Sequence, residues 1–144
     1  MSTEANKALA RRWFEEVNKQ NYLALCEEVC ARDLVWHDAP VGFSPDLAGM
    51  KQLHSVLFRA FPDAHWAVED LIAEGDKVVV RFTVRGTHQG EFLGIPPTGK
   101  VVTYTGIAIC RFAGSKAVEY RSSVDLLGLM QQLGAIPQMA QAGA

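Results

Sequence analysis

The side chains best placed to move a proton or hold a charge are Asp125, Arg111, Arg121, His37 and His88. Asp125 stands where an alternating stretch gives way to Leu126-Leu127-Gly128-Leu129-Met130. A carboxyl desolvated in a pocket titrates higher than in water and can exchange protons near neutral pH, whereas a neighbouring arginine opposes that shift. Asp is also among the best helix N-caps, so capping and chemistry are both open readings of this residue. His37-Asp38 ends a short strand before a loop, and His88 ends a long strand beside Thr87. Either place can bring a side chain to a pocket mouth, and either histidine can instead hydrogen-bond its surroundings. His54 and His65 read as surface or boundary residues.

Other chemistries find no support. Gly94-Ile95-Pro96-Pro97-Thr98-Gly99-Lys100 has the spacing of a phosphate loop up to its lysine, but Val101 follows in place of Ser or Thr. Its prolines also remove two N–H donors, and it leads into a strand. No serine lies in a Gly-x-Ser-x-Gly context. Cys26, Cys30 and Cys110 are an odd number, and Cys26 and Cys30, four apart on a helix, have poor metal spacing. They are expected to be small buried hydrophobes in a reducing compartment.

Helices must come first in the chain. Ser2 or Thr3 suits an N-cap, and Ala8, Leu9, Trp13, Phe14 and Val17 recur at helical spacing. A second helix is expected over about Tyr22 to Val29, and a short strand over Leu34 to His37. Ser44 as N-cap and Pro45 at the first helical position open a third helix with the stripe Leu47, Met50, Leu53, Leu57 and Phe61, stopped by Pro62. From there the period becomes strand-like, with strands over Trp66–Ile72, Lys77–His88, Val101–Phe112 and Ala117–Val124. Tight turns fall at Glu74-Gly75-Asp76 and Ala113-Gly114-Ser115. A helix from about Leu126 to Leu133 and a loose tail over 138–144 complete a single domain, helical over 1–62, sheet over 63–125 and helical again over 126–137. This order indicates an α+β fold in which a strongly coiled, mostly antiparallel sheet wraps the N-terminal helices around an apolar hollow. Ile107, Ile109 and Arg111 share one strand face, continued by Glu119, Arg121 and Asp125. That mixture of aliphatic and charged groups is expected to wall the pocket.

Of the 144 residues, 49% are hydrophobic and 21% charged, as in a globular domain, and the net charge is −2. No basic cluster points to nucleic acid or an anionic membrane. No apolar run approaches the ~20 residues of a membrane span, and the N-terminus has no signal-peptide pattern, so a cytoplasmic protein is expected.

Three stretches, taken together, resemble the SnoaL-like polyketide cyclase family: Gly86 to Lys100, Arg111 to Glu119, and Asp125 to Gly134. The Trp36-His37-Asp38 corner fits more loosely. The resemblance implies a cone-shaped α+β barrel like that of ketosteroid isomerase and scytalone dehydratase, usually homodimeric. It also implies aldol-type ring closure of a polyketide-like small molecule by general acid/base catalysis, with no metal or organic cofactor. Asp125 falls on the family's catalytic aspartate. Arg111 occupies the place of a histidine in characterised cyclases, and Arg121 that of a tryptophan in many relatives. Both arginines are expected to orient Asp125 or bind developing negative charge, with His88 and His37 at the pocket wall. Two other functions fit the same chain: an accessory role in hydroxylation with a reductase partner, and a non-catalytic ligand-binding dimer.

Overall fold

Ser2 caps the first helix: its hydroxyl accepts a hydrogen bond from the Ala5 N–H at 3.1 Å, satisfying a donor that the first turn leaves free. The computed structural model describes residues 2–137, so the tail expected over 138–144 lies outside the described residues. Nine elements follow in the order α1 (Thr3–Glu16), α2 (Tyr22–Val29), β1 (Cys30–Trp36), α3 (Leu47–Ala60), β2 (His65–Glu74), β3 (Lys77–Thr87), β4 (Val101–Ala113), β5 (Lys116–Val124) and α4 (Leu126–Gln132). The α+β expectation holds, and the elements fall close to where period and turn residues place them.

Two details differ. The third helix begins two residues later than Pro45 suggests. Asp46 is its N-cap, accepting from the Gly49 N–H at 3.0 Å, and Ser44 donates to Asp46 from outside the helix. A carboxylate suits the positive end of the helix better than a hydroxyl does. The first strand also starts earlier, at Cys30, and pairs with β5 in parallel, Cys30 opposite Ala117 and Trp36 opposite Tyr120. No hairpin turn links those strands, so no local signal marks the pairing.

The sheet order is β1-β5-β4-β3-β2, antiparallel except for β1–β5. Register breaks at Val68/Asp70 and Arg111/Phe112 are bulges, which sharpen twist and let ten-residue strands curl. Alternation along β3 and β4 buries Val78, Val80, Phe82 and Val84 with Val102, Tyr104, Ala108, Cys110 and Phe112 on the concave face. Thr103, Thr105, Ile107, Ile109 and Arg111 lie on the convex face. The expectation that this second set walls the pocket is therefore corrected. The two isoleucines made the convex face look internal, but the more continuous apolar set, which includes Tyr104, faces inward.

All three cysteines are buried free thiols. Burial pushes Cys26 up to about 11 and Cys110 up to about 12, so both stay protonated and inert.

Candidate functional site

The concave face is only partly filled by helices. Between it, α1, α3 and α4 lies a cavity of about 330 Å³. Trp13, Phe14 and Val17 of α1 form one wall, and Met50, Leu53, His54 and Leu57 of α3 form another. The sheet supplies Trp36, Trp66, Phe82, Tyr104, Tyr120, Ser122 and Val124. Pro40, Val41, Phe43, Phe92, Leu93 and Leu126 surround the mouth. Aromatic and aliphatic walls with few polar groups are what a largely apolar organic ligand requires.

The polar groups in this cavity are mainly neutral. His54 is buried, and its Nδ1 lies 2.9 Å from the Met50 carbonyl oxygen. A carbonyl only accepts, so Nδ1 carries the proton and Nε2 a lone pair. Burial pulls the imidazole below its ordinary pKa, against the smaller opposing pull of that carbonyl, so the ring is neutral near pH 7. Burial pushes the Tyr104 and Tyr120 phenols well above theirs, and Tyr120 also hydrogen-bonds the Ser122 side chain. The charged member is Asp38, at the exposed mouth, where its carboxylate accepts from the Ser122 N–H at 3.0 and 3.2 Å. Such a set can donate hydrogen bonds to ligand oxygens and exchange a proton with one carbon or oxygen acid.

The residues singled out in the sequence are dispersed. Asp125 caps α4: its carboxylate accepts from the Gly128 N–H at 2.9 Å, and its backbone N–H donates to the Thr105 carbonyl at 2.9 Å. Its neighbours Val124 and Leu126 line the cavity, but the Asp125 side chain does not. Arg111 and His37 come together on the convex face, both bound to Glu119. Arg111 donates to one carboxylate oxygen and His37 Nε2 lies 2.6 Å from the other, while Asp76 sits 3.4 Å from the Arg111 guanidinium. The Arg111 guanidinium first, then His37, holds the Glu119 carboxyl down at about 2. Arg121 lies in the same convex hollow, beside Ile72, Val79 and Ile109. Both arginines are thus separated from the cavity by the thickness of the sheet. His88 is fully buried, but away from the cavity lining. Its Nδ1 accepts from the Thr98 N–H at 3.1 Å, and its main chain pairs with Gly99 and Lys100. It closes the base of the loop that delivers Phe92 and Leu93 to the mouth. Among the described residues no cluster of three His, Cys, Asp or Glu is placed to hold a metal.

His54, expected from the sequence at the surface or a boundary, is instead buried on the cavity side of α3, and Tyr104 was not singled out, although signals existed for both. His54 follows Met50 by four and precedes Phe58 by four, on the apolar stripe of α3. Tyr104 shares parity with Val102, Ala108, Cys110 and Phe112.

The family model of the SnoaL-like polyketide cyclases matches residues 8–133, nearly the whole chain. The chain belongs to the SnoaL-like polyketide cyclase family. Solved SnoaL-like structures superpose closely on it. AclR, a candidate hydroxylase from Streptomyces galilaeus, is 30% identical with a TM-score of 0.86, covering 98% of this chain and 88% of its own. A candidate SnoaL-like cyclase from Jannaschia sp. CCS1 is 26% identical with a TM-score of 0.79, covering 94% and 95%. IdmH, a candidate polyketide cyclase from Streptomyces antibioticus, is 29% identical with a TM-score of 0.73, covering 93% and 99%. No curated protein matches this SnoaL-like chain. No helix among the described residues is long and apolar enough to cross a membrane.

Proposed function

We propose that this SnoaL-like protein is a cofactor-independent enzyme that binds a polyketide-like small molecule in the concave cavity and rearranges it by acid/base chemistry, of the aldol type or a related isomerisation. The observation that carries this reading is the cavity itself: about 330 Å³, walled by aromatic rings, with a neutral imidazole and two protonated phenols among its lining groups. Aldol closure needs a base for a C–H next to a carbonyl and a donor for the oxygen that gains charge. Asp125, the group indicated by the family resemblance, belongs to the proposal at the rim, where reaching a ligand means leaving Gly128. The buried thiols support a reducing, cytoplasmic setting.

The test is turnover of anthraquinone-type keto-ester precursors by purified protein with and without oxygen, Asp125→Asn beside wild type. Cofactor-free turnover in both atmospheres is expected. A reaction that requires oxygen and a nicotinamide donor would replace this reading with the accessory role in hydroxylation, which the likeness to AclR favours. Binding without any reaction would leave a ligand-binding module.

The same reading includes a homodimer joined through the convex face. Ile72, Ile107 and Ile109 stand there 63%, 48% and 38% exposed, an apolar surface that self-association would cover.

A further inference from the structure

Two cavity-lining residues, His54 and Tyr104, carry an unsealed polar atom with no partner among the described residues. His54 spends Nδ1 on Met50, and Nε2 has no hydrogen bond among the described residues. The Tyr104 hydroxyl has none either. Neither atom is sealed: the fully enclosed unpartnered side-chain atoms are Asn6 Oδ1, Trp36 Nε1 and His88 Nε2. Both rings line the cavity, so their open polar atoms are presented to it. Trp66 and the strand register relate their positions. Trp66, Val84 and Tyr104 are opposite one another across β2, β3 and β4, and the His54 ring lies 6.2 Å from the Trp66 ring. Three adjacent strands span roughly 10 Å, the scale of a small ring system.

We propose that His54 Nε2 takes a proton from a carbon adjacent to a ligand carbonyl, and that the Tyr104 hydroxyl hydrogen-bonds the carbonyl oxygen as charge moves onto it. In this step the C–H bond breaks, an N–H bond forms at Nε2, and the freed electron pair becomes the enolate. The imidazolium then returns the proton to carbon, or delivers it to the alkoxide after ring closure. The inference rests on the acid/base reading of the cavity and assigns its ligand class, a C–H acid flanking a carbonyl. Burial supports both roles, keeping His54 in its basic form and Tyr104 in its donating form. Both Asp38 oxygens are already engaged by the Ser122 N–H, in an exposed position. The Asp125 carboxylate is occupied at the α4 cap.

The test follows exchange of the acidic C–H of an anthraquinone β-keto methyl ester for deuterium in D₂O by proton NMR, with binding read from quenching of tryptophan fluorescence. His54→Gln should slow exchange about 100-fold or more while Kd stays within about threefold. Tyr104→Phe should slow it about tenfold to 100-fold. Free imidazole should restore exchange to His54→Ala, and circular dichroism checks that each variant is folded. Wild-type exchange persisting in folded His54→Gln overturns the pair alone, as does exchange abolished in Asp38→Asn or Asp125→Asn but not in the His54 variants. A wild-type protein that binds the ester and exchanges nothing overturns the acid/base reading and the pair together.

Discussion

Asp125 shows how one carboxylate can be claimed by two demands. Its oxygen holds the Gly128 N–H, and a Cβ on Gly128 would come within 2.2 Å of that carboxylate, so the cap and the glycine are fitted to each other. Asp125→Ala should therefore cost about 1 kcal/mol in urea unfolding, and Asp125→Asn, which keeps a capping oxygen, much less. A loss of turnover in the asparagine variant at unchanged stability would separate chemistry from capping. Glu119 makes a second prediction at this scale. Its folded pKa, about 2, lies below the ordinary value of 4.5, so its contribution to stability is present above about pH 4.5. That contribution is lost as pH falls from there toward 2, when the carboxylate takes up a proton and releases Arg111 and His37. Glu119→Gln should flatten the acid limb of stability in that window, measured by thermal unfolding from pH 6 to 2. A sequence names such residues but not their faces. Arg111 and His37 were legible as charged partners, while their common partner, on the convex side, emerges only once β1 lies beside β5.

At the scale of elements, local physics was legible and long-range pairing was not. Period, caps and turn glycines place all four helices and the β2–β5 meander within a few residues. The parallel β1–β5 pair joins residues nearly ninety positions apart and leaves no trace in spacing. The choice of inward face turned on Gly106, which breaks the apolar series of β4 between Tyr104 and Ala108. It is there because Phe82 packs across it: a Cβ would lie 2.5 Å from the Phe82 ring and 2.9 Å from Val124 Cγ1. Gly106→Ala must drive Phe82 toward Phe14, whose ring is 5.1 Å away, and into the cavity that both line. The expected results are about 1–3 kcal/mol of destabilisation and weaker ligand binding, read by denaturant unfolding and fluorescence titration. Unchanged binding would mean that the ligand does not reach the middle of the sheet.

For the whole molecule, the curl of the sheet leaves two unequal surfaces. The concave one is consumed by core and cavity, and the convex one carries exposed isoleucines among charges that are only partly matched. Arg111 is satisfied by Glu119 and Asp76, but Arg121, Lys77 and Glu74, which line the same hollow, make no ion pair among the described residues. A two-fold axis through this face would set one chain's free cations against the other's Glu74, with Ile72, Ile107 and Ile109 packed between them, the self-complementary pattern of an isologous dimer. Such a contact needs roughly 800 Å² from each partner, within reach of a five-stranded face. The protein should sediment as a dimer and Ile109→Lys as a monomer, because the new ammonium would be buried opposite its symmetry mate. Glu74→Arg should weaken the dimer by placing like charges together, and adding Arg121→Glu should restore it in part. A wild-type monomer at micromolar concentration would reject the convex-face dimer. The monomeric variant should still bind ligand with wild-type affinity, since the convex face lies across the sheet from the cavity. Affinity lost together with dimerisation would instead mean that the partner holds the sheet in the curvature the cavity requires.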